Sequence, residues 1–211
     1  MTYAALSSAG PRIALAISDD LFRWTRLGLA AFASYHGIDF VRVGNKDASL
    51  FPVAIANHAG KMEMGLLHRP LFGPRDVDLD HESIWISHCP MPTNRVEIQH
   101  LGLFNSHHCL AAPVTPWARL KVGAGTPPIL TRHGWLVIYH GVSELTGPHE
   151  GTRHLCYSAG VMVLSRQHPR ELRYRSAQPV LTPVGTLPHL AAADVAAEPR
   201  TWVRQRTDAV G

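Results

Sequence analysis

An all-β fold is predicted from three observations. Short runs rich in β-branched and aromatic residues, bounded by Gly, Pro or Asp, recur along the chain. Sixteen prolines and seventeen glycines among 211 residues leave little room for long helices. A strand–turn–strand unit also repeats three times, at a spacing that suits β-propeller blades carrying long inserted loops.

The strand-like runs come in order at residues 12–18 (Arg-Ile-Ala-Leu-Ala-Ile-Ser), 82–87 (Glu-Ser-Ile-Trp-Ile-Ser), 134–140 (Gly-Trp-Leu-Val-Ile-Tyr-His) and 158–165 (Ser-Ala-Gly-Val-Met-Val-Leu-Ser). Residues 27–35 are the one segment whose composition leans toward a short helix. Three runs end alike, in Ala16-Ile-Ser18, Trp85-Ile-Ser87 and Val163-Leu-Ser165, and each leads through a polar turn into a further short segment: 22–28, 95–102 and 171–175. A chance likeness of strand–turn–strand units is the competing reading of this repeat. Residue 1 falls directly into a strand-like segment. After Pro183 the composition becomes Ala-rich and strand alternation ends. We therefore expect a partial propeller of about three blades over residues 1–183, with residues 184–211 an aberrant tail, irregular or helical. Three blades cannot close a ring and leave sheet edges uncovered.

Composition excludes several functions. With 45% hydrophobic and 17% charged residues, the chain suits a globular core and is too apolar for disorder. No run of roughly 18 residues is both uncharged and predominantly apolar, as a membrane-spanning helix requires. The first eight residues lack the basic and apolar regions of a signal peptide. The net charge is +4, but the basic residues are scattered, and the nearest run, Arg170 to Arg175, is broken by Glu171, Leu172 and Tyr174. That argues against nucleic acid, which asks for a basic stripe, and for a small anion such as phosphate. Cys89, Cys109 and Cys156 form no CxxC pair, so neither a disulfide framework nor a zinc site is expected and a reducing cytoplasm is the simpler setting. The fourteen histidines show no HExxH spacing. The adjacent His107 and His108 would face opposite ways on a strand, so they read as polar loop residues and no metal site is expected.

Chemistry concentrates in four stretches that combine polar side chains with structure breakers. In residues 44–52, Asn45, Lys46 and Asp47 read as a loop feeding a strand. In residues 65–70, His68 and Arg69 end a strand before Pro70. Residues 120–129 carry Lys121 beside Gly123-Ala-Gly125, and residues 134–142 carry His140. The glycine pair is not a dinucleotide fingerprint, because Pro127 and Pro128 forbid the helix that should follow. It reads as a loop that lets backbone approach a ligand. Together the stretches offer cations for an oxyanion and polar groups for sugar hydroxyls.

These residues resemble a known family. Asn45-Lys-Asp-Ala-Ser-Leu-Phe-Pro52, Leu67-His-Arg-Pro70, Glu82-Ser-Ile-Trp-Ile-Ser87, Lys121-Val-Gly-Ala-Gly-Thr-Pro-Pro-Ile129, Gly134-Trp-Leu-Val-Ile-Tyr-His-Gly-Val142, Tyr157-Ser-Ala-Gly-Val-Met-Val-Leu-Ser165 and Pro179-Val-Leu-Thr-Pro183 look like glycoside hydrolase family 130, the β-mannoside phosphorylases and related β-mannosidases. The resemblance implies a five-bladed β-propeller and an enzyme, of glycosyltransferase-type phosphorylase or glycosidase class. The expected reaction is phosphorolysis of β-mannosides with inversion, giving α-mannose 1-phosphate. Inorganic phosphate is then a co-substrate, with a β-mannoside oligosaccharide as its partner, and no cofactor is expected. By motif match, phosphate binding falls to Lys46 (Arg in many members), Lys121, His140 and Tyr157, and the sugar region to Asn45, Asp47, His68 and Arg69. Family hydrolases have lost basic phosphate ligands, so Lys121 and His140 favour the phosphorylase over the hydrolase.

The family's catalytic Asp lies in a segment expected before the strand that Met1-Thr-Tyr-Ala-Ala resembles, so no catalytic residue is assigned in this chain. Asp19 and Asp20 belong to a turn and are not substitutes. The family's closing region is not recognisable after Pro183, where the tail looks like out-of-frame coding sequence. Without a proton donor for the leaving oxygen, the chain as written is expected to be inactive or nearly so. A non-catalytic carbohydrate-binding fragment and a misread frame that never folds stably remain the other readings. Linkage, acceptor sugar and assembly with further copies are not read from the sequence.

Overall fold

A computed structural model describes residues 1–72, 82–92, 97, 103–146 and 153–183. Among the described residues fourteen strands and a 3-10 turn carry the architecture, arranged in three sheets that are antiparallel except where β4 runs parallel to β9.

The first sheet is a meander of β1 (Thr2–Ser7), β2 (Gly10–Ile17) and β3 (Thr25–Leu29). A two-residue turn joins β1 to β2, with Gly10 at φ 90°, a conformation glycine adopts without a Cβ clash. The turn from β2 to β3 is built by side chains. Ser18 Oγ accepts from the Leu21 amide at 2.8 Å, and Asp20 Oδ1 accepts from the amides of Phe22 and Arg23 at 2.9 and 2.7 Å. Those amide donors also hold the Asp20 carboxyl below its usual pKa range.

The second sheet runs β4 (Ala31–Phe32), β9 (Leu103–Ala111), β8 (Ile84–Cys89), β7 (Met62–Leu71) and β5 (Gly44–Leu50), with β6 (Ile55–Ala56) paired to β7. The third runs β10 (Lys121–Ala124), β12 (Gly134–Thr146), β13 (Arg153–Leu164) and β14 (Leu172–Arg175), with β11 (Ile129–Thr131) paired to β12. The turn Pro116–Ala118 lies between the second and third sheets in the chain. Each sheet is one blade.

Blade packing follows from the two-residue period of a strand. On the middle blade Leu66 and Trp85 face the first blade and join Ile13, Phe32, Phe40 and Phe104 in one core. Leu67, Ile84 and Ile86 point the other way, into a core with Val122, Val137, Tyr139 and Met162 of the third blade. Strand β8 is therefore buried along its whole length. Edge strand β5 adjoins both β1 and β10. Thr2 Oγ1 donates to the Ala48 carbonyl at 2.7 Å and Ser49 Oγ to the Gly125 carbonyl at 3.3 Å.

All four strand-like runs are strands. The structure corrects several local readings. Residues 27–35 are not helical: 27–29 belong to β3 and 31–32 to β4, because Gly28 and Leu29 pair with Leu15 and Ala14 and that pairing overrides composition. Asn45, Lys46 and Asp47 lie within β5 rather than in a loop before it. Ser87 does not end its strand, since β8 continues to Cys89. Nor does Arg69, since β7 runs through Pro70 to Leu71 at the sheet position facing Asn45 and Gly44. Gly123 and Ala124 are in β10 rather than in a loop, because they pair with His140 and Tyr139. His107 and His108 sit in β9, not in a loop. Of the 95–102 segment only Glu97 is among the described residues, and the tail from residue 184 lies outside them.

Candidate functional site

The charged residues singled out in the sequence meet where the inner edges of the second and third blades adjoin. Strand β5 pairs with β7 so that Lys46 lies opposite Arg69. Between Lys46 and Ser49 the register slips, and Asp47 occupies that irregularity with φ 54°, the left-handed region that Asp tolerates better than most residues. The twist brings the Asp47 carboxylate to Arg69 Nε at 2.7 Å and to His140 Nε2 at 3.5 Å. Arg69 is buried, and its Nη1 donates to Glu82 Oε2. One guanidinium thus joins two carboxylates through separate nitrogens.

Strand β10 completes the site. Gly123 lies opposite His140, and a Cβ there would run into Asp47 Oδ2 and come within 2.5 Å of His140 Cε1. Gly123 is bare because that space holds the Asp47–His140 pair. At the start of β10, the Lys121 ammonium lies 5.7 Å from the centroid of the Tyr157 ring, a cation–π arrangement. The Tyr157 ring is 5.9 Å from that of His140 and is 42% exposed. Burial lowers the His140 pKa from its ordinary value. Asp47 opposes that shift, whereas Arg69, Lys121 and Lys46 reinforce it. His140 is therefore a neutral imidazole at pH 7, ringed by three cations. Such a group can donate to an oxyanion or take up a proton as one binds.

Asn45 and His68 take the opposite direction from their chain neighbours. Both are buried: the Asn45 amide lies 3.1 Å from His68 Nδ1, and His68 Nε2 lies 2.7 Å from Ser87 Oγ. With both ring nitrogens occupied inside the protein, His68 supports Asn45 from behind. Lys46, Asp47, Arg69, Lys121, His140 and Tyr157 thus gather at the cluster, with Asn45 on the adjoining face of β5. Glu82 was missed as a site residue, although it lies in one of the distinctive motifs. Its spacing carried no signal that it would reach Arg69. No group of three or more His, Cys, Asp or Glu side chains placed to hold a metal occurs among the described residues.

A family profile described as beta-1,4-mannooligosaccharide phosphorylase matches residues 1–188. The chain belongs to glycoside hydrolase family 130. Among family 130 relatives, it is 30% identical over 173 residues to a 1,2-beta-oligomannan phosphorylase of Thermoanaerobacter sp. (strain X514), covering 82% of this chain and 44% of that protein. It is 30% identical over 141 residues to a beta-1,2-mannobiose phosphorylase of Listeria innocua, covering 66% of this chain and 32% of that protein. The solved complex of the Listeria innocua beta-1,2-mannobiose phosphorylase with beta-1,2-mannobiose superposes with a TM-score of 0.62 at 26% identity, over 87% of this chain and 42% of that one. A glycosyl hydrolase from Bacteroides ovatus shares the fold alone, with a TM-score of 0.60 at 20% identity, over 88% of this chain and 49% of that one. The three blades are thus a part of a five-bladed propeller, and the chain spans less than half the length of these relatives. Among the described residues no helix is long and apolar enough to cross a membrane.

Proposed function

We propose that this chain carries the phosphate-facing side, and part of the sugar-facing side, of a β-mannoside phosphorylase site. The observation that carries the reading is the convergence of Lys46, Arg69, Lys121 and neutral His140 around Asp47 at the inner edges of two blades. Three cations set against two carboxylates leave a local positive excess for inorganic phosphate. A fixed cationic cradle holds such a nucleophile in line with an anomeric carbon without reorganising during the reaction. Lys46, Lys121, His140 and Tyr157 would contact phosphate. Asn45 and Asp47, braced by His68 and Arg69, would face the sugar. Breaking the glycosidic bond also needs a proton for the leaving oxygen. Asp47 and Glu82 are both engaged by Arg69, so the acid would come from outside this cluster and the described chain would bind better than it turns over. The free cysteines agree with a cytoplasmic setting.

Two measurements test the reading. Calorimetry with inorganic phosphate should show binding that Lys121→Met weakens at least tenfold, and absence of binding would sink the phosphate cradle. Incubation with β-1,2- or β-1,4-mannobiose, with and without phosphate, separates the enzyme classes. Any sugar phosphate should appear only with phosphate, whereas free mannose released at a rate indifferent to phosphate would make the site hydrolytic.

A further inference from the structure

The second face of the middle blade holds a continuous file of polar groups that crosses five strands. From the outer edge inward, His107 Nε2 lies 2.9 Å from the Ala33 carbonyl oxygen. His107 Nδ1 lies 2.7 Å from Ser87 Oγ, and Ser87 Oγ lies 2.7 Å from His68 Nε2. His68 Nδ1 then meets the Asn45 amide at 3.1 Å. The residues come one from each strand, in the spatial order β4, β9, β8, β7, β5, with Ala33 directly following β4. Aromatic rings close the file from solvent: Phe32 lies 4.9 Å from the His68 ring and Phe40 lies 4.5 Å from that of His107.

The protons in this file have only one consistent arrangement. A carbonyl oxygen only accepts, so His107 Nε2 carries a hydrogen and donates to Ala33. Burial disfavours the imidazolium of His107, so its Nδ1 is a lone pair and Ser87 must donate to it. The Ser87 hydroxyl has a single hydrogen, so its oxygen accepts from His68 Nε2. His68 is wholly buried, which lowers its pKa to about 3, so it too is neutral and its Nδ1 is a lone pair. A lone pair there needs a donor, and Asn45 can supply one only by turning its amide nitrogen toward His68. The oxygen and nitrogen of an amide are told apart by such networks. As the structure places the amide, Asn45 Oδ1 is the atom 3.1 Å from His68 Nδ1, so it faces that lone pair and the buried Nδ2 has no partner. Turning the amide pairs the nitrogen and leaves a single unpaired atom, an oxygen.

We infer that Ala33, His107, Ser87 and His68 form a one-way hydrogen-bond relay that sets the amide of Asn45 and leaves its oxygen as an unpaired acceptor beside the site. Ser87 and His107 are then positioning residues that act through His68. An acceptor suits a sugar hydroxyl and repels a phosphate oxygen, so the relay puts Asn45 on the sugar side of the cluster. That consequence rests on the phosphorylase reading, whereas the proton positions do not.

Two-bond proton–nitrogen spectra of the 211-residue chain with labelled histidines read the relay directly. At pH 7, His68 and His107 should both be neutral with the proton on Nε2. A proton on Nδ1 of either ring, or a charged ring, overturns the inference. In His107→Gln the amide keeps a donor for Ala33 and an acceptor for Ser87, so His68 should keep its Nε2 proton. In His107→Phe the Ser87 hydroxyl is free to turn and donate to His68, whose proton should move to Nδ1; an unchanged His68 would show that His107 directs nothing. Asn45→Asp offers only oxygen to His68 and should also shift the proton to Nδ1 or charge the ring. If His68 ignores that substitution, the Asn45 oxygen already faced it and the inference fails. A negative phosphate-binding or mannobiose assay would remove the phosphorylase reading and leave these proton positions untouched.

Discussion

The two faces of the middle blade solve the same problem in opposite ways. Toward the first blade, polar groups are neutral, wholly internal and arranged in file, with Phe32, Phe40 and Phe104 around them. Toward the third blade, the polar groups are ionic: Arg69 clasps Asp47 and Glu82, and His140 leans on Asp47. The same two strands supply both, because alternate residues of β5 and β7 point opposite ways. Asn45 and His68 go to one side, Lys46 and Arg69 to the other. One blade thereby presents a fixed hydrogen-bonding group and a charge cluster side by side, with the pleat keeping them apart.

Removing the ionic clasp should have the largest effect. Arg69→Met strands two carboxylates, of which Asp47 is the more buried, and breaking such a pair from one side costs about 3 kcal/mol. Urea unfolding should show a correspondingly lower midpoint at unchanged slope. Arg69→Lys, with one ammonium for two carboxylates, should lose less. Equal losses in the two variants would mean that the second carboxylate contact contributes nothing.

The neutral face is broken by acid rather than by mutation. His68 titrates near pH 3 in the folded chain and near 6.5 when unfolded. Between those values the unfolded chain binds the extra proton. The stability that neutral His68 confers is therefore fully present above about pH 6.5 and falls as the pH drops toward 3. From pH 6.5 to 5 this amounts to about 2 kcal/mol. His107, whose pKa is also lowered, acts in the same direction. In His68→Gln the acid loss measured by urea unfolding should shrink by that amount, and an unchanged pH dependence would place the sensitivity elsewhere.

Gly123→Ala tests how closely β10 must approach the ionic face. The added methyl would displace the Asp47–His140 pair, so phosphate affinity should fall about tenfold, equivalent to roughly 1.4 kcal/mol, in a chain that still folds. At Gly125 a Cβ would meet the Ile138 carbonyl at 3.0 Å, away from the pair, and Gly125→Ala should leave phosphate affinity nearly intact. Similar losses at the two positions would argue that β10 matters only as a strand.

How far each feature could be read in the sequence depended on whether it is local. The strands were legible because β-branched runs between breakers are a local pattern, and Asn45-Lys-Asp, His68-Arg and Lys121 were legible as clustered polar residues beside apolar runs. The relay was not. Its links join residues 23, 19 and 20 positions apart, and each member alone is an ordinary Ser, His or Asn. His107 looked like half of a loop dipeptide because a strand that buries one histidine and turns the next outward has no composition of its own. Gly123 suggested a backbone approach to a ligand, but the atoms that need its space come from β5 and β12, which only the blade contact brings together. The lean toward helix over residues 27–35 failed because a strand partner can overrule local propensity.

The smallest expected effect bears most directly on the phosphate reading. His140 is kept neutral chiefly by burial, with Lys121, Lys46 and Arg69 adding repulsion and Asp47 opposing them. An anion bound among those cations adds a negative charge beside the ring and favours the imidazolium, so phosphate should raise the His140 pKa. Titrating the His140 ring protons by NMR, with and without phosphate, reads the shift. Lys121→Met separates charge from contact. In the free protein it removes a neighbouring like charge and should raise the His140 pKa slightly, while blunting the further rise on adding phosphate. If phosphate leaves His140 unmoved in both proteins, the cations of this face serve the ion pairs of the blade contact and no oxyanion sits among them.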